Sequence, residues 1–318
     1  MVLNLSKKFT DDFDMQTDTL DSLIRHMEIR IIGHGIRSSG ETLIQNFLFP
    51  SFLMVYFYKG SAELNYGGKT VLLEPGSFFM YKPFEVYSGV LKSKPPFVFS
   101  YVYFDIYPYS TRIDFERNAF QAEEKLFKLP WYSGVGALLD EFFQPESAKR
   151  IGCKTLLKQA VKGVAAHILC DQLNQPRAAS FFIGSKESAL IDQTFAYSER
   201  HLSEPINIGE IVKSLGTSRT TLDRVFKDIA LISPIRAITR FKMQRSLSLM
   251  KAGNSVKQTA QALGYSSTFH FSAAFLSVMG KRPSSYIELM NQKRLRQKKA
   301  AFEIGDGCPA PGLAGGAL

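Results

Sequence analysis

A supersecondary unit occurs twice in the last third of this 318-residue chain. In both copies an apolar segment ends at a Leu-Gly pair, and a second segment carries two apolar residues four positions apart before it reaches a proline. The Leu-Gly pair stands at 215–216 and again at 263–264, an offset of 48 residues, and the later positions are offset by 49. One residue is therefore inserted after the turn. Such a repeat predicts two helix-turn-helix units packed within one all-helical domain.

The positive charge of the chain is concentrated on the segment that holds this repeat. Residues 188–300 contain 18 Lys or Arg against 7 Asp or Glu, whereas the rest of the chain contains 21 basic and 22 acidic residues. The net charge of +10 therefore belongs to the helical segment. Because basic side chains neutralise phosphates and release counterions, this charge together with two helix-turn-helix units predicts binding to double-stranded DNA.

The first unit has the residues that a recognition helix needs. Gly216 permits the tight turn after a supporting helix over 208–215, and Ser218 is placed to cap the next helix. That helix is predicted to run from about 219 to 228, with Leu222, Val225 and Phe226 on its buried face. Its outward side chains are suited to contacts with bases and phosphates, and they are Arg219, Thr220, Asp223, Arg224 and Lys227.

The second unit has a different chemistry. Ser266 or Ser267 is predicted to cap a helix that continues to about Val278 and buries Phe271 and Phe275. Its outward face lacks a strong guanine reader but suits thymine methyl groups. Its candidate DNA-binding residues are Ser267, Thr268, Phe269, His270, Ser272, Lys281 and Arg282. In the first unit the candidates are Ser218 and the five outward side chains named above. We expect the first unit to supply most base specificity, and the second to add backbone contacts and a weaker preference.

One continuous helix is predicted between the two units. Residues 234–250 place apolar Ile238 and Phe241 among four basic residues, which are Arg236, Arg240, Lys242 and Arg245. A stiff connector of this kind would hold both recognition helices on one face of DNA, about one helical turn (roughly 34 Å) apart.

The N-terminal half of the chain has the pattern of a β-rich domain. Between about Ile29 and Tyr109, short β-branched and aromatic runs alternate with Gly and Pro turns, which is typical of a small barrel or jelly roll. From about Phe115 to Leu173 the pattern becomes helical, and residues 157, 160, 161, 164 and 168 form one apolar stripe. Either the barrel or a second copy of the chain is expected to cover that stripe.

Short motifs surround the turn and the closing proline of both units. In the first they are Leu215-Gly-Thr-Ser218, Phe226-Lys227 and Ser233-Pro234, and in the second Ala262-Leu-Gly-Tyr-Ser-Ser267, Phe271-Ser272 and Gly280-Lys-Arg-Pro-Ser-Ser-Tyr286. Over about 100 residues they resemble the AraC/XylS family of bacterial transcription regulators. That family usually has basic residues where Ala273 and Leu276 stand here. More loosely, Tyr58-Lys-Gly60, Leu73-Glu-Pro-Gly76 and Lys82-Pro83 resemble its cupin-type sensing barrel.

The resemblance implies an α+β fold class, in which a cupin-like β-barrel with flanking helices precedes an all-α DNA-binding domain of seven helices. It implies a cytoplasmic, nucleoid-associated regulator, expected to be an activator, whose recognition helices enter successive major grooves near a promoter and recruit RNA polymerase. A small-molecule effector and a homodimer stay open as further partners. The sequence contains no run of about 18 apolar residues, so no membrane span is expected. Its three cysteines form no CxxC pair, which favours free thiols.

We predict a division of the chain into four parts. A sensing and dimerisation domain covers 1–173, a linker covers 174–187, and the DNA-binding domain with two helix-turn-helix units and a linker helix covers 188–300. The segment 301–318 is rich in Gly and Pro and is expected to be a disordered tail.

A cupin enzyme, or a small-molecule-binding cupin protein, with an accessory nucleic-acid-binding domain is the main alternative. The five histidines, at 26, 34, 167, 201 and 270, are scattered along the sequence, whereas the ligands of a metal must converge. We therefore predict no metal site, no catalytic residue and no cofactor. The 19 aromatic residues of segment 47–109 are interpreted first as core, with a hollow barrel for an apolar or aromatic effector as the alternative.

Overall fold

The computed structural model describes residues 18–39, 42–66, 69–92, 97–120, 126–128, 152–173 and 181–288. After helix α1, over residues 18–26, the strands are β1 (Glu28–Ser39), β2 (Thr42–Leu48), β3 (Phe52–Lys59), β4 (Ala62–Tyr66), β5 (Lys69–Leu73), β6 (Ser77–Tyr81), β7 (Val86–Lys92) and β8 (Phe97–Tyr107). Helix α2 (Tyr109–Ala119), strand β9 (Leu126–Lys128) and helix α3 (Cys153–Leu173) complete the N-terminal half.

The described strands form two antiparallel sheets. One has five strands in the order β1-β8-β3-β6-β9, and the other has four in the order β2-β7-β4-β5. These β-rich elements agree with the predicted fold class, but the two sheets lie face to face and do not close into a continuous barrel within the described ranges.

Side chains alternate between the two faces of the five-stranded sheet, so that each face has its own core. On β3, Leu53, Val55 and Phe57 pack toward the four-stranded sheet, where Leu64 and Tyr87 meet them. Aromatic rings fill this space at short distances, with centroids 4.4 Å apart for the Tyr81–Tyr87 pair and 4.6 Å for Phe79–Tyr81. The described aromatic residues therefore act mainly as core, as the first interpretation expected.

The opposite face of the five-stranded sheet is covered by helices. Phe52 and Phe104 from the sheet share a core with Phe115 of α2 and with the apolar stripe of α3, on which Val161 and Ile168 are fully buried. The apolar stripe of α3 is therefore covered by the β-rich domain of the same chain and not by a second copy.

The helical domain contains seven described α-helices and one π-helical turn. They are α4 (Lys186–Arg200), α5 (Ile208–Ser214), α6 (Arg219–Val225), the π-turn (Phe226–Ala230), α7 (Pro234–Lys251), α8 (Val256–Ala262), α9 (Thr268–Met279) and α10 over residues 283–288. Helix α7 contributes Ile238 and Phe241 to one core and Met243 and Met250 to another. One rigid helix therefore connects two separate cores, as its sequence predicted.

Two predictions about elements need correction. The segment after Phe115 is not uniformly helical, because Leu126–Lys128 is a strand that pairs with β6 and extends the sheet, and α2 begins earlier, at Tyr109. The first recognition helix does not continue as an α-helix to Asp228. It ends at Val225 and widens into the π-turn, which brings both Phe226 and Ile229 into the core.

Several predicted segments fall outside the described residues. They are the linker over 174–180, the end of the helical domain after 288 and the tail over 301–318. Within the ranges that are described, no helix is both long and apolar enough to cross a membrane.

Candidate nucleic-acid interface

The first helix pair, α5 and α6, is shaped by local chemistry. Asn207 caps α5 by accepting a hydrogen bond from the backbone of Gly209 at 2.9 Å, and Gly216 has a φ of +60° at the turn. The hydroxyl of Ser218 accepts from the backbone N–H of Thr221 at 3.0 Å, which confirms it as the cap of α6. Since Leu222 is fully buried, the register of α6 is fixed against the core.

The outward face of α6 is charged. Arg219 and Asp223 form an ion pair at 3.8 Å, and Arg224 pairs with Asp228 at the same distance. The two arginine side chains are 71% and 60% exposed. Exposed pairs of this kind contribute only about 0–1 kcal/mol, so little energy is lost when an arginine leaves its carboxylate for a base or a phosphate. Thr220 and Lys227 are exposed beside them.

The second helix pair, α8 and α9, has the same shape. The hydroxyl of Ser255 accepts from the backbone of Gln258 at 3.2 Å, and the Gln258 side chain accepts in return from the Ser255 backbone at 2.8 Å, which forms a capping box. Of the two serines predicted as the cap of α9, Ser267 takes the role, because its hydroxyl accepts from the His270 backbone at 3.1 Å. The Ser266 hydroxyl lies 3.2 Å from the His270 ring instead.

The turn of the second pair is held by a close approach between two backbones. Gly264 has a φ of +72°, and a Cβ at this position would lie 2.7 Å from the Glu204 nitrogen and closer still to its carbonyl. The buried ammonium of Lys242 donates to the Leu263 carbonyl at 2.9 Å and also to the Glu204 carbonyl. The loop after α4 and the turn after α8 are therefore joined through α7.

The outward face of α9 has no Asp, Glu, Lys or Arg. Thr268, Phe269 and His270 are exposed, and Ser272 is half-buried. Lys281 and Arg282 follow the helix, and Arg282 is exposed. Each of the predicted site residues is therefore found on the two second helices, at their caps or just beyond them.

The basic residues of α7 have different surroundings from one another. Arg236 is exposed, but Arg240 lies over the Phe84 ring at 5.1 Å and Arg245 donates to Glu199 at 2.5 Å. Burial lowers the pKa of Lys242 to about 8. Most of the positive charge on this helix is therefore used in contacts within the protein.

Helix α2 fastens the β-rich domain to the helical domain, at α4 and at the end of α6. The backbone N–H and the hydroxyl of Ser110 donate to the carboxylate of Asp192 on α4 at 2.8 and 2.6 Å. The Tyr109 ring stacks on Phe195 with centroids 3.8 Å apart. Two turns further along α2, Arg117 donates to the backbone carbonyl of Asp228, directly after the recognition helix α6.

A buried polar network lies between the five-stranded sheet and α7. Arg112 is fully buried and donates to Glu116 at 2.9 Å, and to both Asp105 and Gln244 at 3.4 Å. The Gln244 amide donates in turn to Asp105 at 2.5 Å and to the Ser51 hydroxyl at 3.3 Å. Burial raises the pKa of Asp105, although the Arg112 guanidinium opposes that shift.

No local sequence pattern indicates these interdomain contacts. Ser110 and Asp192 are 82 positions apart, and Arg112 and Gln244 are 132 apart. Each of these residue types is common in exposed helices, so only the fold identifies the pairs.

A metal-binding enzyme was the main alternative function. Among the residues that the structure describes, no group of three or more His, Cys, Asp or Glu side chains is placed to hold a metal ion. Burial and, less strongly, Lys154 lower the pKa of His34, and burial also lowers that of His167. His26 contacts the Ser22 carbonyl of its own helix at 2.7 Å.

Two family models match the chain. A helix-turn-helix domain matches residues 211–288, which include both helix pairs except the first three residues of α5, and an AraC-like ligand binding domain matches residues 48–114. The transcriptional regulator ArgR of Pseudomonas aeruginosa is 30% identical over 113 residues, which are 35% of this chain and 33% of that protein. The raffinose operon regulator RafR of Pediococcus pentosaceus is 29% identical over 102 residues, 32% of this chain and 37% of that protein. The chain thus spans about a third of the length of the curated relatives it matches.

A solved structure resembles the chain over most of its length. ToxT from Vibrio cholerae matches with a TM-score of 0.52 at 16% identity, covering 83% of this chain and 99% of that one. At this identity the likeness establishes a common fold, in which a β-rich domain precedes a helical one.

Proposed function

Because this chain belongs to the AraC/XylS family of bacterial transcription regulators, we propose that it binds promoter DNA sequence-specifically through two helix-turn-helix units, α5–α6 and α8–α9. The observation that carries the proposal is the paired geometry. In both pairs a serine caps an outward-facing second helix, and α7 packs into both cores. The roles divide at the linker 174–187, with sensing before it and DNA binding over 188–300.

The side chains on the two second helices take different roles. Arg219 and Arg224 contact guanines or phosphates, and Asp223 accepts from cytosine. The bases at the second half-site meet Thr268, Phe269, His270 and Ser272. The phosphate contacts come from residues after each helix, which are Lys227, Lys281 and Arg282. Ser218 and Ser267 act first through their caps, which orient the helix ends toward the DNA.

Selection from a random pool of double-stranded DNA by the full-length protein tests this proposal. We expect enrichment of a two-part site whose halves are about one helical turn apart, with an affinity that falls steeply as salt is raised. The double variant Arg219→Ala/Arg224→Ala should lose the enrichment. Lys186→Ala removes one exposed charge outside the two pairs and should keep it. A wild-type protein that enriches no sequence would overturn the proposal.

We propose further that the protein activates transcription by recruiting RNA polymerase. The selected site is placed upstream of a weak promoter, and transcripts made by purified polymerase are measured with and without the protein. A rise in transcript level is expected, and a fall would assign repression instead.

The β-rich domain is proposed to modulate DNA binding in response to a small-molecule effector. The ToxT structure holds (E)-4-(8-methylnaphthalen-1-yl)but-3-enoic acid, an aromatic carboxylic acid. Here the contacts of α2 with α4 and with the end of α6 join the β-rich domain to the first unit. A thermal-shift screen against aromatic acids and fatty acids should find a stabilising compound that also changes DNA affinity. No stabilisation by either class would favour a regulator without such a ligand.

The chain is also proposed to form a homodimer on DNA. The apolar stripe of α3 is covered by the five-stranded sheet, so the dimer contact must use another surface. Light scattering of the full-length protein, alone and with the selected site, distinguishes one copy from two.

A further inference from the structure

One side of the outward face of the second recognition helix is apolar. Phe269 is 78% exposed, which is the highest exposure of any large hydrophobic side chain in the described residues. Ala273 and Leu276 are also exposed, and they follow Phe269 at spacings of four and three residues, which places all three on one side of α9. Phe271, Phe275 and Met279 occupy the opposite, buried side.

Phe269 has no packing role in the fold. Its recorded ring contact is with His270, the next residue, at a centroid distance of 6.1 Å. The hydrophobic core of the second unit is complete without it, because that core contains the other two phenylalanines of α9 and residues from α7 and α8. An exposed phenyl ring in the first turn of the helix therefore offers its apolar area to a partner.

The position of the ring indicates which partner this is. Phe269 is the second residue of α9, and the first turn of a recognition helix is the part that enters the major groove most deeply. In that groove the C5-methyl of thymine is the apolar group that distinguishes one base from the others. The helix has no Arg, Lys, Asn or Gln for a bidentate contact with a purine, so an apolar contact is the main specific readout available to it.

We propose that the Phe269 ring contacts the C5-methyl group of a thymine in the second half-site, with the Ala273 methyl beside it. This makes the second unit a reader of thymine methyl groups, whereas the first unit reads hydrogen-bonding edges with its arginines. The inference rests on the proposed DNA-binding function and adds the chemical group that the second unit recognises.

The test uses the full-length protein and the site found by selection. Each thymine of the second half-site is replaced by deoxyuridine, which removes only the methyl group, and affinity is measured by fluorescence anisotropy. For the wild-type protein we expect a loss of roughly 4-fold at one or two positions, the effect of one buried methyl. The same replacement in the first half-site is expected to have little effect.

Two variants assign the effect to the ring. Phe269→Ala should bind the thymine and deoxyuridine sites equally and should keep its thermal stability. Leu231→Ala removes another large side chain of the same domain, 72% exposed and outside the second unit, and should keep the wild-type discrimination. The inference is supported if only Phe269→Ala loses the methyl dependence.

Other results would overturn it. A Phe269→Ala variant that keeps the 4-fold difference, or a wild-type protein that shows no difference, would each do so. A Phe269→Ala variant with unchanged DNA binding but reduced transcription would assign the ring to RNA polymerase instead. Failure of the wild-type protein to bind any unmodified site is a separate outcome, because it removes the proposed function itself.

Discussion

The two helix pairs share their turn and cap residues but present different surfaces. Both have a glycine turn, a serine cap and a buried apolar ridge, because these features are needed to pack a short helix against α7. Outward, α6 presents two arginines in weak ion pairs, whereas α9 presents no Arg, Lys, Asp or Glu and exposes the Phe269 ring. The duplicated fold therefore leaves the exposed positions free to differ, and the specificity of each half-site is set there.

The pairs also differ in how they contact the β-rich domain. The first is contacted by Arg117, which donates to the carbonyl of Asp228, and the same helix α2 is bound to the neighbouring α4 through Ser110 and Asp192. The second meets that domain through apolar contacts of Leu48 and Phe84 in its core. A signal from the β-rich domain is thus expected to reach the first unit mainly through α2.

The largest expected effect separates the two turn glycines. Gly264→Ala would place a Cβ against the backbone of Glu204 and should destabilise the protein by about 3 kcal/mol or more. Gly216→Ala meets open space and has only the cost of its positive φ, about 1–2 kcal/mol. Urea denaturation of both variants measures the difference. Equal losses would mean that the approach of Glu204 to the second turn is not rigid.

The next effect concerns the reading of bases. Arg224→Ala should lower affinity for the selected site by roughly 10- to 100-fold, because a bidentate contact is worth about 1–3 kcal/mol. Thr268→Ala should lower it by less than about 3-fold. The two losses are compared by anisotropy titration in the same buffer, since salt alters both. Comparable losses would count against the ranking of the two units.

A smaller effect is expected at the contact between α2 and α4. Ser110→Ala leaves the half-buried Asp192 carboxylate without its hydroxyl donor and should reduce the free energy of unfolding by about 1–2 kcal/mol. Ser248→Ala on the exposed side of α7 is the matched control, with an expected change under about 0.5 kcal/mol. If both serines behave alike in thermal denaturation, the contact does not hold the domains together.

The smallest effect is a dependence on pH at the joint between the pairs. Burial lowers the pKa of Lys242 from 10.5 to about 8, so between these values the unfolded chain holds more protons than the folded one. The free energy of unfolding should therefore increase as pH rises from about 8 toward 10.5. This added stability should be lost again as pH falls back through about 8. Lys242→Met should remove this slope in denaturant titrations at about pH 7.5 and 9.5, whereas Lys257→Met on the exposed side of α8 should keep it.

The features that could be predicted from the sequence are local ones. The cap at Ser218 and the turn at Gly216 depend on residues within a few positions, as does the apolar spacing of α7, so their chemistry is visible in the sequence. The excess of basic residues over 188–300 is equally visible in the sequence. The sequence does not show which of these residues form contacts within the protein. Arg240 and Arg245 meet Phe84 and Glu199, which are distant in the sequence.

The differences between prediction and structure also have physical reasons. Strand β9 is only three residues long and is stabilised by its pairing with β6. No local sequence pattern indicates that pairing. The π-turn after Val225 arises because the core takes in both Phe226 and Ile229. Asp192 and Gln244 are ordinary polar helix residues in the sequence and become interdomain contacts only through the fold.

The most direct test of the unequal pair is to disrupt one half-site at a time. Affinity of the full-length protein is measured for the selected site, for a version with the first half-site scrambled and for a version with the second scrambled. Scrambling the first half should weaken binding by more than about 10-fold, and scrambling the second by a clearly smaller factor. Equal losses, or a larger loss at the second half-site, would contradict the account.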